Sequence, residues 1–171
     1  ALFSQDGGTG YGSASYVVPV GSDGLRLGVS YSYLGYTLLE KQGIPEGNGL
    51  ARDMMAFALY PIVRSRNLNV FVQAGYDYQK FTDNPDAGLS IHRTSRSVLL
   101  TLSGDLRDGL FGGGINNFSL GYVNGTLDNP TAEVTTPVGR FQKINPFYSR
   151  LQAVGDSKFL FFFRYAGQFT H

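Results

Sequence analysis

The chain of 171 residues carries 14 Lys and Arg against 13 Asp and Glu, a formal net charge of +1, with 42% hydrophobic residues, no Cys and no Trp. The near-neutral balance, without a basic cluster, argues against a nucleic-acid partner, and the missing Cys excludes disulfides and thiolate metal sites. No apolar run approaches 18 residues, which excludes a transmembrane helix.

Turn signals divide the chain into eight expected strands: Gly10–Val20, Leu25–Leu39, Leu50–Val63, Leu68–Phe81, Thr94–Leu106, Gly113–Leu127, Gln142–Val154 and Lys158–Thr170. Several alternate between apolar and polar residues almost step by step. In the second, Leu25, Leu27, Val29, Tyr31 and Tyr33 oppose Arg26, Gly28, Ser30 and Ser32. In the fourth, Leu68, Val70, Val72, Ala74, Tyr76 and Tyr78 oppose Asn69, Gln73, Asp77 and Gln79. Successive side chains on a strand point to opposite faces, so each stretch has one greasy and one wet face. Soluble strands average about five or six residues, whereas a tilted strand needs roughly 9–11 to cross a bilayer core. These are of the longer kind. The expected fold is all-β: an antiparallel transmembrane β-barrel, or a part of one, spanning 1–171. The 23 Gly and 14% aromatics fit such a wall.

Connections alternate in length. Gly21–Gly24, Arg64–Asn67 and Gly155–Ser157 are tight turns of Gly, Asn, Asp, Ser and Arg, while Glu40–Gly49, Thr82–Arg93 and Asp128–Phe141 are longer and polar. Outer-membrane barrels keep short turns on the periplasmic side and long loops outside. By that rule the first strand runs inward and the eighth ends at the cell surface.

Parity assigns bilayer-facing candidates: Leu27, Val29, Tyr31, Phe57, Leu59, Val70, Val72, Leu100, Leu102, Leu120, Tyr122, Phe161 and Phe163. Candidate pore-lining residues are Arg26, Gln73, Asp77, Arg150, Gln152, Arg164 and Gln168. Arg164 sits within an aromatic run, and an arginine on the lipid face near the midplane costs roughly 2–4 kcal/mol, so it is expected indoors. Two readings of this polar set stand: a hydrated conduit, or side chains that fill a lumen by bonding to one another.

Catalytic and metal chemistry has little to build from. His92 and His171 are the only histidines, so a zinc or His-based catalytic site is not expected. Asp105 and Asp108 lack the alternating oxygen ligands and distal Glu of a Ca²⁺ loop, and are expected to cap backbone N–H groups in a turn. Gly7–Gly12 and Gly112–Gly114 lack the Lys-Ser/Thr of a phosphate loop. No cofactor and no enzymatic activity are expected.

Three blocks carry a resemblance. They are Tyr60–Asn69 with Gly75–Tyr78; Leu102–Gly109 with Gly112–Asn116 and Gly125–Asp128; and Arg140–Asn145 with Ser149–Gln152 and Gly167–Phe169. In order and spacing these resemble the TpsB transporters of two-partner secretion (haemolysin/haemagglutinin activators) in the Omp85 superfamily. The resemblance implies a bacterial outer-membrane location and a secreted exoprotein, of adhesin or haemolysin type, as the partner that crosses without ATP. It also implies a sixteen-stranded barrel with a plug helix, two POTRA domains and an inward-folded loop. By this likeness the eight strands correspond to the fourth to eleventh. Ala1–Gly12 lacks a secretory signal, so a mature chain or an internal piece is expected. The alternative is a self-contained eight-stranded outer-membrane barrel serving as a structural or adhesive anchor.

Overall fold

Alternation extends the backbone and each tight turn reverses it, so every strand meets its sequence neighbour antiparallel. The computed structural model describes residues 2–3, 8–38, 47–85, 90–130, 138–155 and 158–170. Among them ten strands form one sheet: β1 Leu2–Phe3, β2 Thr9–Val20, β3 Leu25–Leu38, β4 Gly47–Arg64, β5 Leu68–Pro85, β6 Ile91–Asp108, β7 Gly114–Asp128, β8 Gly139–Ala153, β9 Leu160–Ala166 and β10 Phe169–Thr170. Strands β1 to β8 lie side by side in chain order, and both β9 and β10 pair with β8. Ala166 opposes Phe147 and Phe169 opposes Ile144, so β9 and β10 are two pieces of one strand in one register.

The eight expected strands are all present, with β1 added at one margin. Among the described residues the two margins do not pair with each other, and the sheet is open. Leu39 of the expected second strand and segments 40–46, 86–89 and 131–137 of the three expected long loops lie outside the described residues, as do Asp156, Ser157 and His171.

The strands run further than the sequence suggests. Gly47–Gly49, Thr82–Pro85, Ile91–Arg93 and Gly139–Phe141 fall in expected loops yet belong to the ladder. Cross-strand pairs hold these polar ends. The Asn84 side-chain amide donates to Asn48 Oδ1 at 2.9 Å, and Tyr36 Oη donates to Asp83 Oδ1 at 2.7 Å. At the opposite edge the turns are short, and Gly21 and Gly24 adopt φ of 70° and 88° between β2 and β3. Pro61 in β4 opposes Phe71, but Val63 then opposes Val70, so Ile62 forms a bulge where proline's missing N–H is tolerated.

No hydrophobic side chain is buried among the described residues. The accessible surface is 12189 Å², against about 8200 Å² for a compact monomer of this mass. A single layer of sheet has no second layer to cover it. Its own stability therefore comes from the ladder and from neighbours on the same face, and glycines matter where side chains cross. A Cβ on Gly104 would press into the Asn69 carbonyl oxygen and the Phe118 ring, whereas one on Gly12 would meet open space.

Gly104→Ala is expected to destabilise the folded chain by about 1–3 kcal/mol through overpacking, while Gly12→Ala changes stability by less than about 1 kcal/mol. Urea unfolding of the two variants checks this, and equal effects would contradict the register of β5 to β7.

Candidate functional site

Residues directly opposed in a ladder share a face, so the register sorts every side chain. One face carries Val29, Ala56, Tyr76, Val98, Leu100, Leu102, Leu120 and Ile144, most of them exposed. A depression of about 600 Å³ on this apolar face is lined by Ala56, Ala58, Ala74, Tyr16 and Tyr76.

The other face is polar. Arg26, Leu59, Gln73, Thr101, Gly121 and Asn145 follow one another across six strands in a single row. The unbroken register of β9 and β10 puts Gln168 level with Asn145 at the end of that row. Asp77 lies two rows away, between Met55 and Ser97. The Gln79 amide donates to Asp77 Oδ2 at 2.9 Å and to Asp53 Oδ2 at 3.4 Å. Arg164 opposes Ser149, and its guanidinium carbon stands 5.4 Å from the centre of the Phe147 ring. Toward the short-turn edge, Arg26, Arg64, Asn69 and Asp105 line a recess of about 290 Å³. There the Asn69 amide donates to both Asp105 oxygens at 3.2 Å. Toward the long-loop edge, Asp83 takes the Tyr36 hydroxyl and an ion pair with Arg93.

Four expected assignments are corrected. Phe57 and Leu59 sit on the polar face, opposite Gly28 and Arg26; a Cβ on Gly28 would run into the Phe57 ring, so the ring fills the space glycine leaves. Arg150 and Gln152 sit on the apolar face, because they oppose Phe163 and Phe161. They do not join Arg26, Gln73, Asp77 and Arg164.

Arg150 is accommodated there because its charge is matched. Its two terminal nitrogens donate to Asp108 Oδ2 at 2.6 Å and Oδ1 at 2.9 Å, a forked pair. Arg150 also donates to Asn116 Oδ1 at 2.6 Å, as does the Tyr148 hydroxyl at 2.7 Å. The Asn116 amide returns a bond to Asp108 Oδ2 at 2.8 Å. Gln152 bridges the adjoining turns, donating to the carbonyls of Leu110 at 2.8 Å and Gly113 at 3.1 Å. Asp108 is the last residue of β6, at the short-turn edge, and its Oδ1 accepts the Leu110 N–H at 3.1 Å, the capping role expected for it. Bonds from Arg150 and then Asn116 hold the Asp108 carboxyl well below the usual carboxylate range. Sequence reasoning missed this cluster, whose one signal was polar residues on the apolar parity of β6, β7 and β8.

No family model matches the chain, and no solved structure matches it. Over 108 residues, 63% of its length, the chain is 28% identical to the heme/hemopexin transporter protein HuxB of Haemophilus influenzae strain 86-028NP. It spans 19% of that protein's length.

A carboxyl whose pKa is lowered by folding adds stability above its unfolded pKa, and that stability is lost as pH falls toward the folded value. Asp108→Asn and Arg150→Gln should therefore each destabilise the protein near neutrality and be strongly coupled in a double-mutant cycle. Asp108→Asn should also flatten the loss of stability below about pH 5. Additive effects with an unchanged acid limb would contradict the pairing.

Proposed function

We propose that this sheet is part of the wall of a TpsB-type β-barrel of the Omp85 superfamily in the bacterial outer membrane. In this reading the barrel passes a large exoprotein, of adhesin or haemolysin type, outward without ATP. The observation that carries the membrane half is the single-layer sheet with one apolar and one polar face and no buried hydrophobic side chain among the described residues. In water such an apolar face has nothing to cover it; a bilayer covers it and leaves the polar face indoors. Strands of 12 to 18 residues in β2 to β8 suit the crossing and extend beyond it.

The transport half is supported by the similarity to HuxB, a protein named as a heme/hemopexin transporter, and by the three TpsB-like blocks. The unpaired margins favour a wider barrel over a self-contained eight-stranded anchor, since sheet edges are not left open in lipid. Barrel diameter grows roughly linearly with strand number, so sixteen strands leave a conduit where eight are filled by side chains. No bond is made or broken in this function. Arg26, Gln73, Asp77, Arg164 and Gln168 hold water along the wall and deny an unfolded chain an apolar surface on which to stick.

In the transporter working in cells, a photo-crosslinking residue at Gln73 should capture exoprotein in transit, and one at Val72 should capture none. Equal capture from both positions, or capture from Val72 alone, would overturn the assignment.

A further inference from the structure

Charges on the long-loop edge are segregated between the two faces. Asp53, Asp77 and Asp83 project on the polar face, where Arg93 pairs with Asp83. On the apolar face, just beyond the row of Val29, Tyr76 and Val98, the same edge is basic. Arg52 stands directly opposite Lys80 on the neighbouring strand. One step closer to the centre, Tyr78, Arg96, Thr126 and Arg140 follow in a row across four strands. Arg52, Lys80, Arg96 and Arg140 are all exposed. The acidic neighbour in these two rows is Asp128, which pairs with Arg96 at 3.5 Å.

Two like charges directly opposed on adjacent strands repel. Among the described residues neither Arg52 nor Lys80 has an ion-pair partner. The short-turn edge of the same face behaves differently, since Arg150 is matched there by Asp108. Tyr33 stands in the Arg52–Lys80 row, Tyr31 and Tyr78 in the Arg96–Arg140 row and Tyr76 in the next, with the apolar band beyond, the order in which a lipid presents its charged headgroup, interface and acyl chains. Beside the rows, Thr94, Arg96, Asp128 and Asn129 line a recess of about 520 Å³.

We propose that Arg52, Lys80, Arg96 and Arg140 bind the phosphate of anionic lipid headgroups in the leaflet at the long-loop edge. Guanidinium groups fork onto phosphate oxygens, and Lys80 adds a point charge between Arg52 and the Arg96 row. The bound phosphate relieves the Arg52–Lys80 repulsion and fixes the height of the sheet in the membrane. This assignment rests on the reading that the apolar band meets a bilayer.

The test uses the protein reconstituted in phosphatidylcholine vesicles, with a donor dye on Thr126→Cys and a trace of acceptor-labelled phosphatidylglycerol or phosphatidylcholine. Energy transfer should favour phosphatidylglycerol, and the preference should fall about fivefold for each cation neutralised in Arg52→Gln and Lys80→Gln. Arg52→Lys should retain it, and a donor on Val63→Cys at the other edge should show none. Equal transfer to both lipids overturns the lipid assignment while leaving the membrane reading intact. Transfer to neither overturns both. Loss of the preference on adding inorganic phosphate at the labelled lipid's concentration would identify a free-phosphate site instead.

Discussion

A lone β-sheet satisfies its backbone and leaves its side chains uncovered. Every strand from β3 to β8 is paired on both margins, so between the two outer margins the polar main chain is provided for within the sheet. The side chains are not, since nothing hydrophobic is buried among the described residues. Burial of apolar surface is the main driving force of folding, and this sequence places that surface in a band that no second layer covers. The rest follows from where the band's cover comes from. In the proposed reading a bilayer supplies it without a partner protein, and a hydrogen-bonded ladder closed into a barrel is the form in which a β-structure survives there.

With the apolar band on one face, the opposite face carries the polar groups. Serines at positions 30, 97, 103 and 119, with Gln73 and Thr101, give that face small hydrogen-bonding groups. Large apolar residues also stand on that face, and two of them have a local use: Phe57 covers the gap at Gly28, and Phe147 lies under the Arg164 cation. The two edges are finished by charge in different ways. At the short turns Asp108 and Arg150 neutralise each other within a network closed by Asn116 and Tyr148. At the long-loop edge acids predominate on the polar face, where Asp83 takes Arg93, and bases on the apolar face, where Arg96 takes Asp128.

Strand existence and order were legible because alternation and turn residues are local signals. The alternation of Leu68 to Tyr78 reads as a strand without knowing its partner. Facing was legible only where one parity was clearly apolar. Met54 to Leu59 is apolar on both parities, so the side taken by Phe57 and Leu59 depends on register with Gly28 and Arg26, which is a non-local fact. β8 is similarly mixed, with Ile144, Phe147, Tyr148 and Leu151 on both parities; polarity alone sent Arg150 and Gln152 to the wrong face, and pairing with Phe163 and Phe161 decides it. Strand ends were underestimated because Asp83-Asn84-Pro85 has the composition of a loop. Its extended form is held by Asn48 and Tyr36 on other strands. The polar row through Arg26, Gln73 and Gln168 needed the whole ladder to become visible.

The central claim is that one face of this sheet meets hydrocarbon and the other meets water. The chain has no native Trp, so a single one reports its own surroundings. Leu100→Trp and Thr101→Trp place it on adjacent residues of β6, on opposite faces. In vesicles, brominated acyl chains should quench the fluorescence at position 100 and leave position 101 unaffected, while aqueous iodide should do the reverse. Equal quenching of both positions by either agent, or lipid quenching at 101 alone, would contradict the account.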